Sequence, residues 1–258
     1  MILDRIVEKT KIRVKTAKLS LPINELIKSL ELNKELFFIF EKTLKNDRIN
    51  FICEVKKASP SKGVISKDFN PVKIAKEYKE AGADCISVLT EPDFFLGHND
   101  YLKEIKNKVN IPILRKDFII DSYQIYESKL IGADCILLIC SILTDQELKG
   151  FIEIADKLGL STLVEAHDEE EINRAIKAGA RMIGVNNRNL KTFEVDINNS
   201  LNLRKMVANG IIYISESGIR DEADIKRCID ANVNAVLIGE TLMKASNKKE
   251  MLGRLKNG

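Results

Sequence analysis

A carboxylate and an ammonium group stand two residues apart at Glu54 and Lys56, inside the stretch Phe51-Ile-Cys-Glu-Val-Lys-Lys-Ala-Ser-Pro-Ser-Lys-Gly63. The stretch begins apolar, as a short buried strand does, and then turns to charge, hydroxyls, proline and glycine. Alternate residues of a strand face the same side. Glu54 and Lys56 therefore project together, with Cys53 and Val55 on the opposite face. An acid and a cation at a strand end, followed by a Ser/Gly loop, fit a site for an anionic substrate. The plainer alternative is a surface strand that ends in a solvated ion pair of little energetic weight. Recurrence separates the two, because the same pattern returns along the chain.

Polar groups close one apolar run after another: Ser87 to Glu91, Arg115-Lys116-Asp117, Glu165, Asn186 to Arg188, Glu216-Ser217-Gly218 and Gly239-Glu240. Lys56, Lys116 and Arg188 supply positive charge for a substrate with more than one anionic group. Glu165 fits a carboxyl whose pKa is raised for acid–base work, or equally a carboxylate paired with one of the lysines. Ser217-Gly218 and Gly239-Glu240 have the composition of turns that hold a phosphate on backbone N–H groups, although turn-making alone would also use these glycines. Ser59 and Ser61 add hydroxyls from the first loop. Asn186 and Arg188, two apart, share a face. His167 reads as a loop residue, one position past an outward-pointing neighbour, and Cys53 and Cys140 read as core or wall thiols.

The elements that must carry these groups follow from periodicity. Apolar, β-branched runs occupy 51–55, 85–89, 111–114, 135–139, 160–164, 181–185, 211–214 and 235–238. Between them the spacing predicts helices with recognisable starts: Asn70-Pro71, and capping boxes at Asp121/Gln124, Thr144/Glu147 and Asp168/Glu171. Eight strand–helix units of roughly 26 residues each suit a closed (β/α)8 TIM barrel in the α/β class. An open doubly wound sheet is the alternative, disfavoured by the lack of a Gly-x-Gly-x-x-Gly turn. An internal repeat supports the count. Ala81-Gly-Ala-Asp-Cys85, Ile131-Gly-Ala-Asp-Cys135 and Ala178-Gly-Ala-Arg181, with Ala231-Asn-Val-Asn234 as a looser fourth copy, each fall where a helix gives way to an even-numbered strand. In such a barrel every strand's C-terminal end meets at one mouth. All but the fourth strand end there in an ionisable or hydrogen-bonding group; the fourth ends in Leu137-Leu-Ile139, an apolar wall.

Residues 1 to about 47 read as helical throughout. One face carries Ile2, Leu3, Ile6 and Val7, another Leu26, Ile27 and Leu30, with a break at Pro22 and a very apolar turn from Leu36 to Phe40. This N-terminal extension is expected to cover part of a barrel formed by 51–258, with 1–258 as a single domain. The composition, 45% hydrophobic and 31% charged, is that of a globular chain. A net charge of +3 with both signs interspersed leaves no nucleic-acid footprint. Five cysteines without a Cys-x-x-Cys spacing fit buried thiols of a reducing compartment. Two histidines without a suitably spaced acid cluster offer no metal site. The longest apolar run, Cys135 to Leu143, is too short to span a bilayer, and the N-terminus lacks a signal-peptide core. A cytoplasmic location is the expectation.

Taken together, the motifs resemble the indole-3-glycerol phosphate synthase family. They are Glu54-Val-Lys56-Lys-Ala-Ser59-Pro60-Ser61, Ser87-Val-Leu-Thr-Glu91, Leu114-Arg-Lys116-Asp-Phe-Ile-Ile, Asp134-Cys-Ile-Leu-Leu-Ile139, Val164-Glu165, Gly184-Val-Asn186-Asn-Arg188-Asn-Leu190, Glu216-Ser217-Gly218-Ile219 and Leu237-Ile-Gly239-Glu240-Thr-Leu-Met243. The resemblance runs over essentially the whole chain. It implies closure of the indole ring of 1-(2-carboxyphenylamino)-1-deoxyribulose 5-phosphate, with loss of CO2 and water, and no metal or cofactor. It also implies a small phosphorylated substrate as sole partner, for a monomer or weak homo-oligomer. By analogy, Lys116 is the general acid for ring closure. Lys56 holds the carboxylate and is available for a later protonation, with Glu54 orienting it, and Glu165 serves the dehydration. Glu91, Asn186, Arg188 and Glu216 hold substrate hydroxyls and catalytic side chains; Ser59, Ser217, Gly218, Gly239 and the Glu240 N–H hold the phosphate. Glu240 occupies a place where serine is also familiar in the family. With no tryptophan in the chain, stacking on the aromatic ring falls to Phe94, Phe95, Phe118 or aliphatic walls. A Schiff-base aldolase using Lys56 or Lys116 on the same barrel is the rival enzyme, and a barrel that only binds a phosphorylated metabolite is the rival without catalysis.

Overall fold

A computed structural model describes residues 2–30, 37–66, 68–189 and 192–257. Eight parallel strands close a barrel: β1 (Asn50–Val55), β4 (Cys85–Leu89), β5 (Ile113–Lys116), β6 (Cys135–Ile139), β7 (Ser161–Ala166), β8 (Met182–Asn186), β9 (Ile212–Glu216) and β10 (Ala235–Ile238). The ring closes where β10 pairs with β1. Two further strands, β2 (Ala58–Ser59) and β3 (Gly63–Val64), form a short antiparallel hairpin in the loop after β1 that periodicity did not reveal. Helices α4 (Pro71–Glu80), α5 (Asn99–Lys108), α6 (Ser122–Leu130), α7 (Asp145–Lys157), α8 (Glu169–Lys177), α9 (Asn198–Leu203) and α10 (Glu222–Asp230) connect the barrel strands. After β10 come α11 (Glu240–Lys244) and α12 (Lys248–Leu255).

Strand parity sorts the side chains. Ile52, Cys85, Leu114, Cys135, Leu137, Ile139, Leu163, Met182, Ile212, Ile214, Ala235 and Leu237 pack together inside the ring. Their odd-offset neighbours, such as Phe51, Cys53, Ile86, Ile113 and Ile136, pack outward under the helices. Continuing the inward series toward the strand ends reaches Glu54, Lys116, Glu165, Asn186 and Glu216. The site is thus the polar top of an otherwise apolar column.

Four strands, β5, β7, β8 and β9, begin and end later than periodicity predicts, and the shifts of β5 and β7 matter most. The third barrel strand, expected at 111–114, is Ile113–Lys116. Pro112 has no N–H for the ladder, although its carbonyl accepts from Ile86 at 3.0 Å. The shift places Lys116 inside the sheet, opposite Leu89. Likewise β7 runs on to Ala166, so Glu165 is held by strand register opposite Ile139 and Gly184 rather than by a loop.

Among the described residues the N-terminal extension holds three helices, α1 (Ile2–Ser20), α2 (Ile23–Lys28) and α3 (Ile39–Leu44). Pro22 separates the first two, as expected. The apolar turn expected from Leu36 to Phe40 is only partly helical. Phe38 has φ 41, left-handed, so α3 starts at Ile39; Leu36 lies outside the described residues. Phe40 and Leu44 of α3 join the interior column, while Glu41 holds the Arg181 guanidinium at 2.8 Å. Because Arg181 directly precedes β8, α3 caps the N-terminal end of the barrel. The first helix goes to the other end. Lys18 pairs with Asp121 at 2.6 Å, and Tyr123 donates its hydroxyl to the Ala17 and Leu21 carbonyls.

Of the three capping boxes, only Thr144/Glu147 is reciprocal. Asp121 and Asp168 do cap their helices, but Gln124 and Glu171 reach one residue further back, to the N–H groups of Ile120 and His167. The repeated turns are left-handed helix stops: Gly82, Gly132 and Gly179 at φ 85–89, with Asn232 at φ 56 in the fourth copy.

Candidate active site

A cavity of about 570 Å³ opens at the C-terminal mouth of the barrel. Of the residues to which the resemblance gives a catalytic or substrate-holding role, all but Glu91 line it. Lys56 from the first barrel strand's end and Lys116 from the third face the same space. At its centre the Lys116 ammonium lies 2.9 Å from Glu165 Oε2 and 2.7 Å from Glu216 Oε2. Asn186 Nδ2 donates to Glu165 Oε1 at 3.3 Å, and Glu54 and Lys56 form their own ion pair beside them. Of the two readings of Glu165, the pairing is the one present: its carboxylate faces the cavity joined to Lys116, and its pKa is lowered rather than raised.

Close approach at this centre requires glycine. A Cβ at Gly184 would collide with the Glu216 carboxylate, and one at Gly239 with the Glu54 carboxylate and the Lys56 ammonium. The turn after β9 places Ser217 at φ 66 and Gly218 at φ 91, with the Ser217 carbonyl accepting from Asn187 Nδ2 at 2.9 Å.

The charges pull the titrations apart. Burial works against the Lys116 ammonium, but Glu165, Glu216 and Glu54 outweigh it and hold its pKa above the usual lysine range. Burial would raise Glu165 too; the charges of Lys116 and His167 overcome that and keep its carboxyl well below the usual range. For Glu216 burial prevails over Lys116, helped by the negative charge of Glu165, and its carboxyl is pushed up. One carboxylate is thus firmly ionised while the other readily takes a proton. A carboxyl raised in the folded state contributes stability below its unfolded pKa, and that stability is lost as pH climbs through the raised value. Glu216→Gln is accordingly expected to stabilise the protein at pH 8 by on the order of 1–2 kcal/mol. The gain should vanish near pH 4, a contrast that thermal melts at the two pH values will read.

The rest of the cavity divides into an apolar wall and a cationic corner. Phe95 and Phe118 face each other with centroids 6.0 Å apart, alongside Leu137, Ile139 and Leu237. Ile2, Leu3 and Ile6 of α1 supply the apolar cover for which the sequence named no contact. Phe94 is not on the cavity; Arg5 sits over its ring. At the other side Glu240 draws three cations together: Lys244 at 2.6 Å, Arg188 at 3.5 Å and Lys62 at 3.9 Å. Ser59, the last residue before the turn of the β2–β3 hairpin, completes the rim.

Glu91 is buried behind this wall. Its carboxylate accepts the N–H groups of Asp93, Phe94 and Phe95 at 2.7–3.0 Å, so it shapes the loop that delivers Phe95. His167 reads from the sequence as a loop residue, and it does follow the end of β7, but its ring reaches Glu165. Its ring lies 3.5 Å from Glu165 Oε1 through Nε2 and 3.0 Å from Glu171 Oε2 through Nδ1. The signal was available: Glu165 and His167 have the same two-residue spacing as Glu54 and Lys56.

The sequence pattern of indole-3-glycerol phosphate synthase matches residues 3–255. The chain belongs to the indole-3-glycerol phosphate synthase family. It is 57% identical to the indole-3-glycerol phosphate synthase of Lachnoclostridium phytofermentans, covering all of this chain and 99% of that one. With the synthase of Endomicrobium trichonymphae it shares 58% identity over the full length of both. Its activity is that of the family, a lyase of tryptophan biosynthesis. Among solved structures, 3-hexulose-6-phosphate synthase from Salmonella typhimurium superposes with a TM-score of 0.66 over 81% of this chain and 97% of that one. At 16% identity that likeness concerns the barrel alone. Among the described residues no cluster of His, Cys, Asp and Glu could hold a metal ion, and no helix is long and apolar enough to cross a membrane.

Proposed function

We propose that this site closes the indole ring of 1-(2-carboxyphenylamino)-1-deoxyribulose 5-phosphate with the following division of labour. The aromatic ring lies against Phe118 and Phe95, and the phosphate sits on the N–H groups of Gly218, Gly239 and Glu240 near Ser59, Ser217 and Arg188. Lys56, oriented by Glu54, holds the ring carboxylate. As the ring carbon attacks the substrate carbonyl, Lys116 gives its proton to the oxygen on which negative charge grows. An ammonium held so firmly is a weak acid, but the developing alkoxide is a stronger base, so transfer runs downhill. Loss of CO2 restores the aromatic ring. In the dehydration the ionised Glu165 takes the proton that leaves carbon, and Lys56 protonates the departing hydroxyl. Asn186 and Glu216 keep Glu165 and Lys116 in place.

The observation that supports this reading most is Lys116 clasped by two carboxylates between an aromatic wall and a cationic corner. It also argues against an imine-forming aldolase, whose lysine must be a free amine. The test is turnover: the purified protein, given the carboxyphenylamino-deoxyribulose phosphate without added metal or cofactor, should generate indole absorbance. Folded protein that leaves the substrate untouched would refute the assignment. Lack of turnover by that protein accompanied by a borohydride-trapped imine would favour the aldolase. The same reading includes a cytoplasmic enzyme acting as a monomer or weak homo-oligomer, with no nucleic acid, membrane or partner chain involved.

Glu240 adds a prediction of its own. Its carboxylate engages cations beside the phosphate corner, and an incoming phosphate must compete with it. Glu240→Gln should tighten inhibition by inorganic phosphate about 3–10-fold, equivalent to about 1 kcal/mol of relieved repulsion. Competition assays at fixed ionic strength read this directly.

A further inference from the structure

We propose that His167 is a positioning residue that keeps Glu165 ionised and aimed into the cavity, with Glu171 as its anchor. The ring is wedged between two carboxylates: Glu171 Oε2 lies 3.0 Å from Nδ1, and Glu165 Oε1 lies 3.5 Å from Nε2. Nε2 is buried and has no hydrogen-bond partner, so its nearest opposite charge is Glu165. The backbone fixes the ring from both sides. Glu171 Oε2 also accepts the His167 N–H at 2.8 Å, and Asn199 Nδ2 donates to the His167 carbonyl at 3.1 Å. One carboxylate thus grips both the main chain and the ring of the same residue.

The electrostatic setting favours the charged imidazole. Burial pulls its pKa down, but the bond to Glu171 and the charges of Glu165, Glu171 and Glu216 prevail and raise it. The other ionisable groups around this wedge are Cys140, whose Sγ meets the Glu171 carbonyl, Arg174 near Glu171, and Lys116 on the far oxygen of Glu165. Glu165 is consequently held between two cations, Lys116 at Oε2 and His167 beside Oε1, with Asn186 donating to the second oxygen as well. A carboxylate fixed at both oxygens is both anionic and oriented. Removal of the imidazolium should raise the pKa of Glu165 by about one unit, the usual effect of losing a neighbouring opposite charge.

This inference rests on the reading of Glu165 as a base, so the test has one arm that does not. The chain contains only two histidines, His98 and His167, so their ring protons can be followed separately by NMR. In Glu165→Gln and in Glu171→Gln the titration of His167 should fall by about half a unit or more while His98 stays in place. An unmoved His167 in Glu165→Gln would overturn the proposed contact whatever Glu165 does in turnover. In the kinetic arm, His167→Gln should move the acid limb of the kcat/KM profile up by about one pH unit. It should lower kcat about 3–30-fold at pH 7, with KM little changed. Glu171→Gln should reproduce that limb shift in weaker form. A uniform loss at all pH values with no limb shift, or a loss that appears mainly in KM, would show a merely structural histidine and reject the role. If His167 responds by NMR while Glu165→Gln retains full turnover, the contact stands, the base assignment fails and the role proposed for His167 in catalysis fails with it.

Discussion

Lys116→Met is expected to lower kcat by about 10³-fold, the scale of a lost general acid. The substituted side chain keeps most of the length and the apolar stem but has no proton to give. Because ring closure precedes decarboxylation, neither CO2 nor indole should form at an appreciable rate. The variant also carries a signature in stability. Without the ammonium, Glu165 and Glu216 become two buried carboxylates facing each other, and both carboxyls must then titrate above their unfolded pKa. Stability is retained at low pH, where both are protonated, and lost as pH rises through the raised values. Melts should therefore show a deficit against the wild type that grows from pH 5 to pH 8. Full turnover in Lys116→Met would reject its assigned role.

Glu165→Gln should lower indole formation by about 10²–10³-fold while KM for the substrate stays within a few-fold. The amide preserves the shape and a partner for Asn186, so ground-state binding is spared. The two lysines remain, and ring closure with loss of CO2 can proceed ahead of the blocked dehydration. A label in the substrate carboxylate should thus appear as CO2 in a burst that outruns indole. Equal suppression of CO2 and indole would place Glu165 in the first half of the reaction instead. The two variants separate the halves of the mechanism in a way that neither does alone.

Much of this site was legible before any fold was considered. Glu54 and Lys56 carry their spacing in the strand alternation, and Glu165, Asn186 and Glu216 stand at the ends of strongly apolar runs. The count of eight strands and the repeated Gly-Ala-Asp turns led to the barrel, and the barrel fixes the mouth at which those ends meet. Local rules failed where a local preference was overruled. Pro112 pushed the third strand two residues along and so placed Lys116 inside the sheet. Phe38, in a left-handed conformation, delayed α3 until Ile39. Glu91 looked like its neighbours in the series, yet three backbone N–H groups within its own loop take up the carboxylate. His167 looked like a loop residue, and only the approach of Glu171 from α8 revealed the wedge.

By itself the sequence determined which side chains point inward, since the period of two in a strand is a property of each segment and needs no partner. It determined the number of such segments as well, and with it the class of fold. Only the tertiary structure decided the pairings among those inward groups: Lys116 with Glu165 and Glu216, Glu240 with three cations, α1 over the mouth and α3 under the floor. The physical reason is that charge interactions act over a few ångströms of space, while the residues involved lie 49 and 100 positions apart along the chain. Closure of the ring sets those distances, and no local pattern of residues encodes them.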